Sequence, residues 1–301
     1  MTSLSDRQIP IIDGMVNVAP GTGVSLAHMP REAFRDDESL DSWPSVGMVE
    51  YLFKGAVSER IARSGDPVYV REMMDRYGIE RAGVVVTAQD APQMIESLEA
   101  VGDRWFFTLR VNPHEGMKAV RSVDEISRHY ENVRAITFSP FASYPMIGPN
   151  SKECYPIYAK CVERGLPIWI NVGIPGPRVP GWSQDPMLID EVCWFFPELK
   201  VVMKHGGEPW VDLCVKLMLK WPNLYYATSA FAPKYFPKAI IHYANTRGSD
   251  KIIYAGYWPI LGFEDSFEQL DGLALRDHVW SKLLSENARE VFNLPPGSAT
   301  S

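Results

Sequence analysis

A chain of 301 residues, 46% hydrophobic and 22% charged, has the makeup of a globular protein large enough for one barrel or two smaller domains. A net charge of -7 and a pI near 5.5 argue against nucleic-acid or membrane-surface partners, which favour basic faces. No apolar run approaches the roughly 20 residues that cross a bilayer, and the polar first ten residues lack the basic flank and apolar core of a signal peptide, so a cytoplasmic address is expected.

In chain order, Ile11-Ile12 opens a short apolar strand that runs through Asp13-Gly14-Met15-Val16-Asn17 into a loop. Residues 19–65 form a long polar, proline-containing excursion. It carries Trp43, Tyr51 and Phe53, and we read it as an insertion over one end of the fold or at a subunit contact, where aromatics are enriched. Helical spacing over 68–77 precedes the strand Ala82-Gly83-Val84-Val85-Val86. A helix over 94–101 precedes Phe106-Phe107-Thr108-Leu109-Arg110, and one over 122–130 precedes Val133-Arg134-Ala135-Ile136-Thr137-Phe138. The helix over 153–164 leads to Pro167-Ile168-Trp169-Ile170-Asn171, and that over 186–196 to Lys200-Val201-Val202-Met203-Lys204-His205. Helices over 211–221 and 237–246 precede Leu224-Tyr225-Tyr226-Ala227 and Ile252-Ile253-Tyr254-Ala255, and a final helix spans 277–292. Continuous apolar strands point to a parallel sheet covered on both faces. Eight of them alternating with helices predict a single α/β domain over 1–301, a (β/α)8 TIM barrel with an insertion after strand one.

In such a barrel, chemistry sits where strands hand over to loops. Those positions hold Asp13, Met15 and Asn17 on strand one, Thr87 on two, Arg110 and Asn112 on three, and Thr137 and Ser139 on four. Strand five supplies Asn171, six His205, seven Thr228 and Ser229, and eight Tyr257 and Trp258. This is a polar and aromatic rim with one histidine. It has no nucleophile–base pair, and His205-Gly206-Gly207 matches no phosphate-binding glycine loop. Cys154, Cys161, Cys193 and Cys214, spaced by 7, 32 and 21 residues, form no C-x-x-C pair and read as buried helical thiols. The other histidines (28, 114, 129, 242 and 278) lack ligand spacing and read as surface or loop residues.

Four pieces carry a resemblance: Ile12-Asp13-x-Met15-x-Asn17, 166–173 ending in Asn171-Val172-Gly173, Lys204-His205-Gly206-Gly207-Glu208-Pro209-Trp210, and 254–259 around Gly256-Tyr257-Trp258. In this order they resemble the amidohydrolase-related branch of the amidohydrolase superfamily, which includes aminocarboxymuconate-semialdehyde decarboxylase; Ser285-Glu286-Asn287-Ala288-Arg289 is similar to its closing helix. The resemblance implies a metal-dependent barrel whose first strand ends in two histidines, here Met15 and Asn17. Its strand-five histidine falls on Asn171 and its strand-eight aspartate on Tyr257. His205 is the only retained ligand position, so no metal is expected in this chain. Thioether, amide and phenol substitute poorly for imidazole and carboxylate around a divalent first-row metal, and a phenol is a poor base at neutral pH.

Three readings follow. In the first, the chain is an accessory, degenerate-site subunit. It pairs with a related, ligand-complete amidohydrolase-like chain that holds Fe, Mn or Zn, as in an oxygen-dependent hydroxylase of a small amino acid such as 2-aminoisobutyrate. In the second it is a stand-alone hydrolase or carboxy-lyase acting on a small carboxylate. It then has either no metal or a rebuilt mononuclear site around His205 with Asp13 or Glu208. His205 and Tyr257 are its catalytic candidates, and Asp13, Met15, Asn17, Arg110, Asn171 and Trp258 line its pocket. In the third it binds or senses a small molecule. Asp13 is also expected to anchor backbone groups under the pocket, Tyr257 and Trp258 to fill the space a metal would take, and Asn17 and Asn171 to bond each other or water.

Overall fold

The computed structural model describes residues 7–18, 29–41 and 58–296. Eight parallel strands follow one another around a single sheet in chain order. They are β1 (Ile11–Asp13), β2 (Ile79–Thr87), β3 (Trp105–Arg110), β4 (Val133–Phe138), β5 (Ile168–Asn171), β6 (Val201–Lys204), β7 (Leu224–Ala227) and β8 (Ile252–Ile253). Helices return the chain between them: α1 (Asp37–Asp41), α2 (Ser58–Arg63) and α3 (Pro67–Arg76) before β2, then α4 (Ala91–Glu99), α5 (Met117–His129), α6 (Tyr155–Arg164), α7 (Leu188–Phe195), α8 (Val211–Lys220) and α9 (Lys238–Ala244). This is the expected single (β/α)8 barrel. The insertion contributes α1 and α2; Trp43, Tyr51, Phe53 and His28 lie outside the described residues.

After β8 the sequence reading passed over α10 (Phe263–Asp271), although the buried Phe263, Ser266 and Leu270 carry helical spacing. Its Phe263 stacks on Trp258 with ring centroids 5.6 Å apart. The closing helix runs as α11 (Asp277–Ser281), widens through a π turn at Lys282–Glu286 and continues as α12 (Asn287–Phe292). Among the described residues no helix is long and apolar enough to cross a membrane. The four cysteines are free and buried, and His114, His129, His242 and His278 are exposed.

The strand period of two sorts side chains into two cores. Val84, Leu109, Ile136, Ile170, Val201 and Met203 face the helices. Phe106, Ala135, Trp169, Val202, Tyr225 and Ile253 face inward. At the N-terminal end of the strands Phe292 plugs this inner core, 5.3 Å from both Phe106 and Trp169 in near-parallel stacks. Above it Trp169 crosses the lumen to Gly14, where a β-carbon would lie 2.9 Å from the indole. Any chemistry is therefore confined to the C-terminal mouth above Trp169.

The seam between β8 and β1 is closed by few contacts. Gly14 N–H donates to Tyr254 O (3.0 Å), Tyr257 N–H to Met15 O (3.0 Å) and Asn17 N–H to Trp258 O (2.7 Å). Asp13 adds a side-chain tie: its Oδ1 accepts from Met15 N–H (2.9 Å) and, across the seam, from Gly256 N–H (2.7 Å). Gly256 must lack a side chain, because a β-carbon there would meet Asp13 Oδ2 at 2.5 Å. Burial raises the Asp13 carboxyl to about 7 against the pull of the Gly256 and Met15 N–H groups.

Two outcomes follow for thermal or denaturant unfolding. Asp13→Ala strands two buried N–H groups, each worth about 1–3 kcal/mol, and lowers stability at every pH. Asp13→Asn keeps the accepting oxygen. Because the carboxyl titrates near 7 when folded but near 3.8 when unfolded, wild-type stability falls as pH rises through that window. The asparagine variant therefore gains on wild type between pH 4 and 7.5. A gap that stays flat with pH contradicts this assignment.

Candidate active site at the barrel mouth

Because side chains alternate, β3 turns Phe106, Thr108 and Arg110 inward, β5 Trp169 and Asn171, and β6 Val202 and Lys204. Arg110 and Lys204 thus reach the lumen from different sectors of the barrel. Lys204 is only 3% exposed. Neither head group has an ion pair or hydrogen bond among the described residues. Burial, reinforced by the positive field of Arg110, brings the Lys204 ammonium down to about 7. Burial also lowers Arg110, with Asp90 and Tyr257 acting against it. A guanidinium nevertheless keeps its charge in proteins.

Around this pair the strand ends contribute neutral polar groups. Asn171 stands in register with Lys204, and its Oδ1 accepts from Ser139 Oγ at 3.1 Å. His205 lies at φ +70°, leading Gly206 at +85° and Gly207 at +73°. Its N–H donates to Ser229 Oγ (3.2 Å), and the same hydroxyl lies 3.0 Å from its Nδ1. Burial, Lys204 and Arg110 hold the imidazole well below its ordinary range, while the bond to Ser229 works the other way. His205 is therefore neutral at pH 7. Tyr257, also left-handed at φ +63°, sets its ring edge-on to His205 with centroids 5.3 Å apart. Burial raises its phenol against the opposing field of Arg110, so it is a proton donor rather than a base. Non-glycine residues in this region cost about 1–3 kcal/mol each and gather where function fixes the backbone.

Above the ends of β2 to β4 opens a cavity of about 340 Å³, with Thr87, Arg110, Asn112, Ser139 and Ser143 among its lining. That size suits a small molecule.

Several expected pocket residues sit elsewhere. Asp13 is sealed in the seam at 0% exposure and does not reach the mouth, although its expected role as a backbone anchor is what the structure shows. Met15 packs into the inner core. Trp258, 1% exposed, turns outward onto Phe263 and Tyr69, because the alternation that points Ala255 and Tyr257 inward sends it the other way. Asn17 and Asn171 do not pair: Asn17 Nδ2 donates to Trp258 O at 3.1 Å. Thr137 and Thr228 are committed to the backbone of Trp169 and Ala255. Lys204 was missed, because His205 drew attention one residue too late. The parity of Val202 and Lys204 would have found it.

The residues present do not fit a divalent metal. The positions considered for ligands hold Met15, Asn17, Asn171, His205 and Tyr257, while Glu208 is exposed and Asp13 is committed to the seam. Among the described residues no three His, Cys, Asp or Glu side chains converge. A dication at the mouth would also face the cations Lys204 and Arg110.

A family model described as amidohydrolase matches residues 29–294. No curated protein matches the sequence. Among solved structures, the chain is similar to an uncharacterised TIM-barrel protein from Bordetella bronchiseptica, with 22% identity, a TM-score of 0.74 and coverage of 95% of this chain and 99% of that one. It is also similar to a 5-carboxyvanillate decarboxylase from Novosphingobium aromaticivorans with bound manganese, with 15% identity, TM-score 0.66 and coverage of 98% and 100%. A third is a probable 2-pyrone-4,6-dicarboxylic acid hydrolase from Acinetobacter baumannii with citric acid bound, with 12% identity, TM-score 0.62 and coverage of 95% and 100%.

The electrostatics of the mouth can be read directly by NMR of the histidine rings. His205 stays neutral well below the ordinary histidine range. Lys204→Met, by removing a facing cation, raises the pH at which His205 takes its proton. An unchanged His205 titration in that variant would separate the two groups.

Proposed function

The chain belongs to the amidohydrolase family, and on that premise we propose that it is a stand-alone enzyme, a carboxy-lyase or hydrolase, acting on a small carboxylate anchored by Arg110 and Lys204 instead of by a metal. The observation that carries this is the pair of inward-facing cations, neither of which has an ion pair among the described residues, with only the field of Asp90 acting on Arg110. An uncompensated buried charge costs several kcal/mol, and a carboxylate seated between the two head groups would supply both the missing charge and acceptors for their N–H groups. Arginine can engage it through two parallel hydrogen bonds.

The remaining groups have roles that match small-carboxylate chemistry. Neutral His205, held by Ser229, can accept a proton. Tyr257 keeps its proton at neutral pH and can donate one. Asn171 and Ser139 offer a hydrogen-bonded polar pair at the strand ends.

The similar structures favour this reading over the accessory-subunit one. One is a decarboxylase of an aromatic carboxylate and one a probable hydrolase of a dicarboxylic acid, whereas a hydroxylase complex with a ligand-complete partner chain finds no support among them. Manganese belongs to the 5-carboxyvanillate decarboxylase. The donor set of the present chain argues against transferring it.

The test is binding of small mono- and dicarboxylates, followed as a shift in melting temperature with EDTA present and again with added Mn2+. A saturable, metal-independent shift is expected, and Arg110→Met weakens the affinity at least tenfold, about 1.4 kcal/mol. Binding that requires Mn2+, or that is indifferent to Arg110→Met, overturns the proposal.

A further inference from the structure

We propose that the substrate is a hydroxylated monocarboxylate, an open-chain sugar acid, seated in the cavity over β2 to β4 with its carboxylate on Arg110 and its hydroxyl groups on the walls. The inference rests on the carboxylate-binding reading above, taken through Arg110 alone, and deepens it by naming the substrate class.

The charged groups that line this cavity among the described residues are Arg110, Lys118 and Glu115. At its outer edge Lys118 Nζ donates to Glu115 Oε1 at 2.7 Å, so these two compensate each other. Arg110, half-buried at the end of β3, has no ion pair or hydrogen bond among the described residues. Asp90, whose field reaches it, has its Oδ1 taken by Thr87 N–H at 2.5 Å. One unpaired cation suits one carboxylate. A second carboxylate at the outer edge would meet Glu115 and find Lys118 already engaged.

The neutral groups define what the rest of the ligand must carry. Ser139 gives its hydroxyl proton to Asn171 Oδ1 (3.1 Å), and Ser143 gives its own to Ser139 O (3.3 Å). Both therefore present lone pairs, which need donors. Asn112 Oδ1 is taken by His114 N–H (3.1 Å) and Thr87 Oγ1 by Asp90 N–H (3.3 Å), so the Asn112 amide protons and the Thr87 hydroxyl proton remain as donors. Gln89 and Ser122, which have no partner among the described residues, can act either way. A carboxylate supplies acceptors only. It suits Arg110, Asn112 and Thr87 but leaves the Ser139 and Ser143 oxygens unmatched, whereas a hydroxyl group both donates and accepts. Ser143 is only 5% exposed, so a ligand that displaces water from its oxygen without replacing the hydrogen bond loses that bond outright. A run of hydroxyl groups beside the carboxylate meets both kinds of wall. The apolar lining is Ala88, Val111, Ala119 and Ala142, so a flat aromatic acid finds no ring to stack on among the described residues.

The experiment compares acids by calorimetry and melting temperature on the full chain in EDTA. Gluconate and threonate are set against hexanoate and butyrate, which match them in carbon number, and against galactarate and vanillate. Gluconate is expected to bind about tenfold or more tightly than hexanoate, vanillate or galactarate, with threonate ahead of butyrate in the same sense. Ser143→Ala and Ser122→Ala each weaken gluconate roughly threefold or more and leave hexanoate unchanged. The Ser122 hydroxyl has no partner to lose, so that variant keeps the fold even if Ser143→Ala disturbs its loop. Hexanoate, vanillate or galactarate binding as tightly as gluconate overturns the proposal, as does a gluconate preference unaltered in both serine variants. If carboxylates bind through Arg110 with no preference for hydroxyl groups, the substrate-class inference falls and the carboxylate-binding reading stands. If no small carboxylate binds, both fall.

Discussion

The architecture turns on a carboxylate that water does not reach. Between β8 and β1 the ladder that joins every other neighbouring pair of strands dwindles to isolated bonds, and Asp13 spans the gap by accepting from Gly256 N–H. Placing an acid there is costly enough that it is held near its protonated form at neutral pH. That cost fixes the relative position of the two loops leaving the seam. The Gly256-Tyr257-Trp258 turn can only place Tyr257 over His205, and Trp258 against Phe263, if Gly256 is drawn tight against Asp13 Oδ1. The aspartate thus acts on the mouth through the backbone while remaining outside it.

Confinement of Asp13 to the seam is also what gives the mouth its sign. The acid that might have compensated the lumen is engaged elsewhere. Arg110, Lys204 and an imidazole that resists protonation leave a mouth biased toward anions. The field of these cations, tempered at Arg110 by Asp90, is stronger among apolar strands and over Trp169 than at the surface because little water screens it. Organic cations put at the strand ends the positive charge that a metal ion could otherwise supply. They differ in what they demand. A metal needs converging lone pairs, whereas guanidinium and ammonium need only that acids stay away.

Much of the fold was legible in the sequence, because buried parallel strands read as apolar runs such as Ala82-Gly83-Val84-Val85-Val86 and Leu224-Tyr225-Tyr226-Ala227 and stand out against amphipathic helices. The site was legible in outline and wrong in detail wherever the period of two was not followed through a strand end. Trp258 was placed in the pocket although it has the opposite parity to Tyr257. His205 was taken as the last inward residue of β6 although Lys204 shares the parity of Val202. The left-handed backbone at His205 explains the confusion there, since it returns that side chain to the mouth against the simple alternation. Nor could the sequence show that Asn171 bonds to Ser139 rather than to Asn17, because that depends on how far the β1 loop is drawn toward Trp258.

Loss of ligands and gain of cations are physically connected here. A lysine at the inward end of β6 beside a metal would be repelled by the ion and would compete with it for the same acids. An inward lysine and a divalent ion therefore oppose each other in one lumen. Met15 and Tyr257 mark the same choice. A thioether packed into the inner core and a phenol that keeps its proton belong to a mouth whose charge is already supplied by side chains. On this view the retained histidine is not a relic. Held neutral by burial and its cationic neighbours and positioned by Ser229, it offers a ring nitrogen at the mouth, and any proton it takes adds to the positive charge already there.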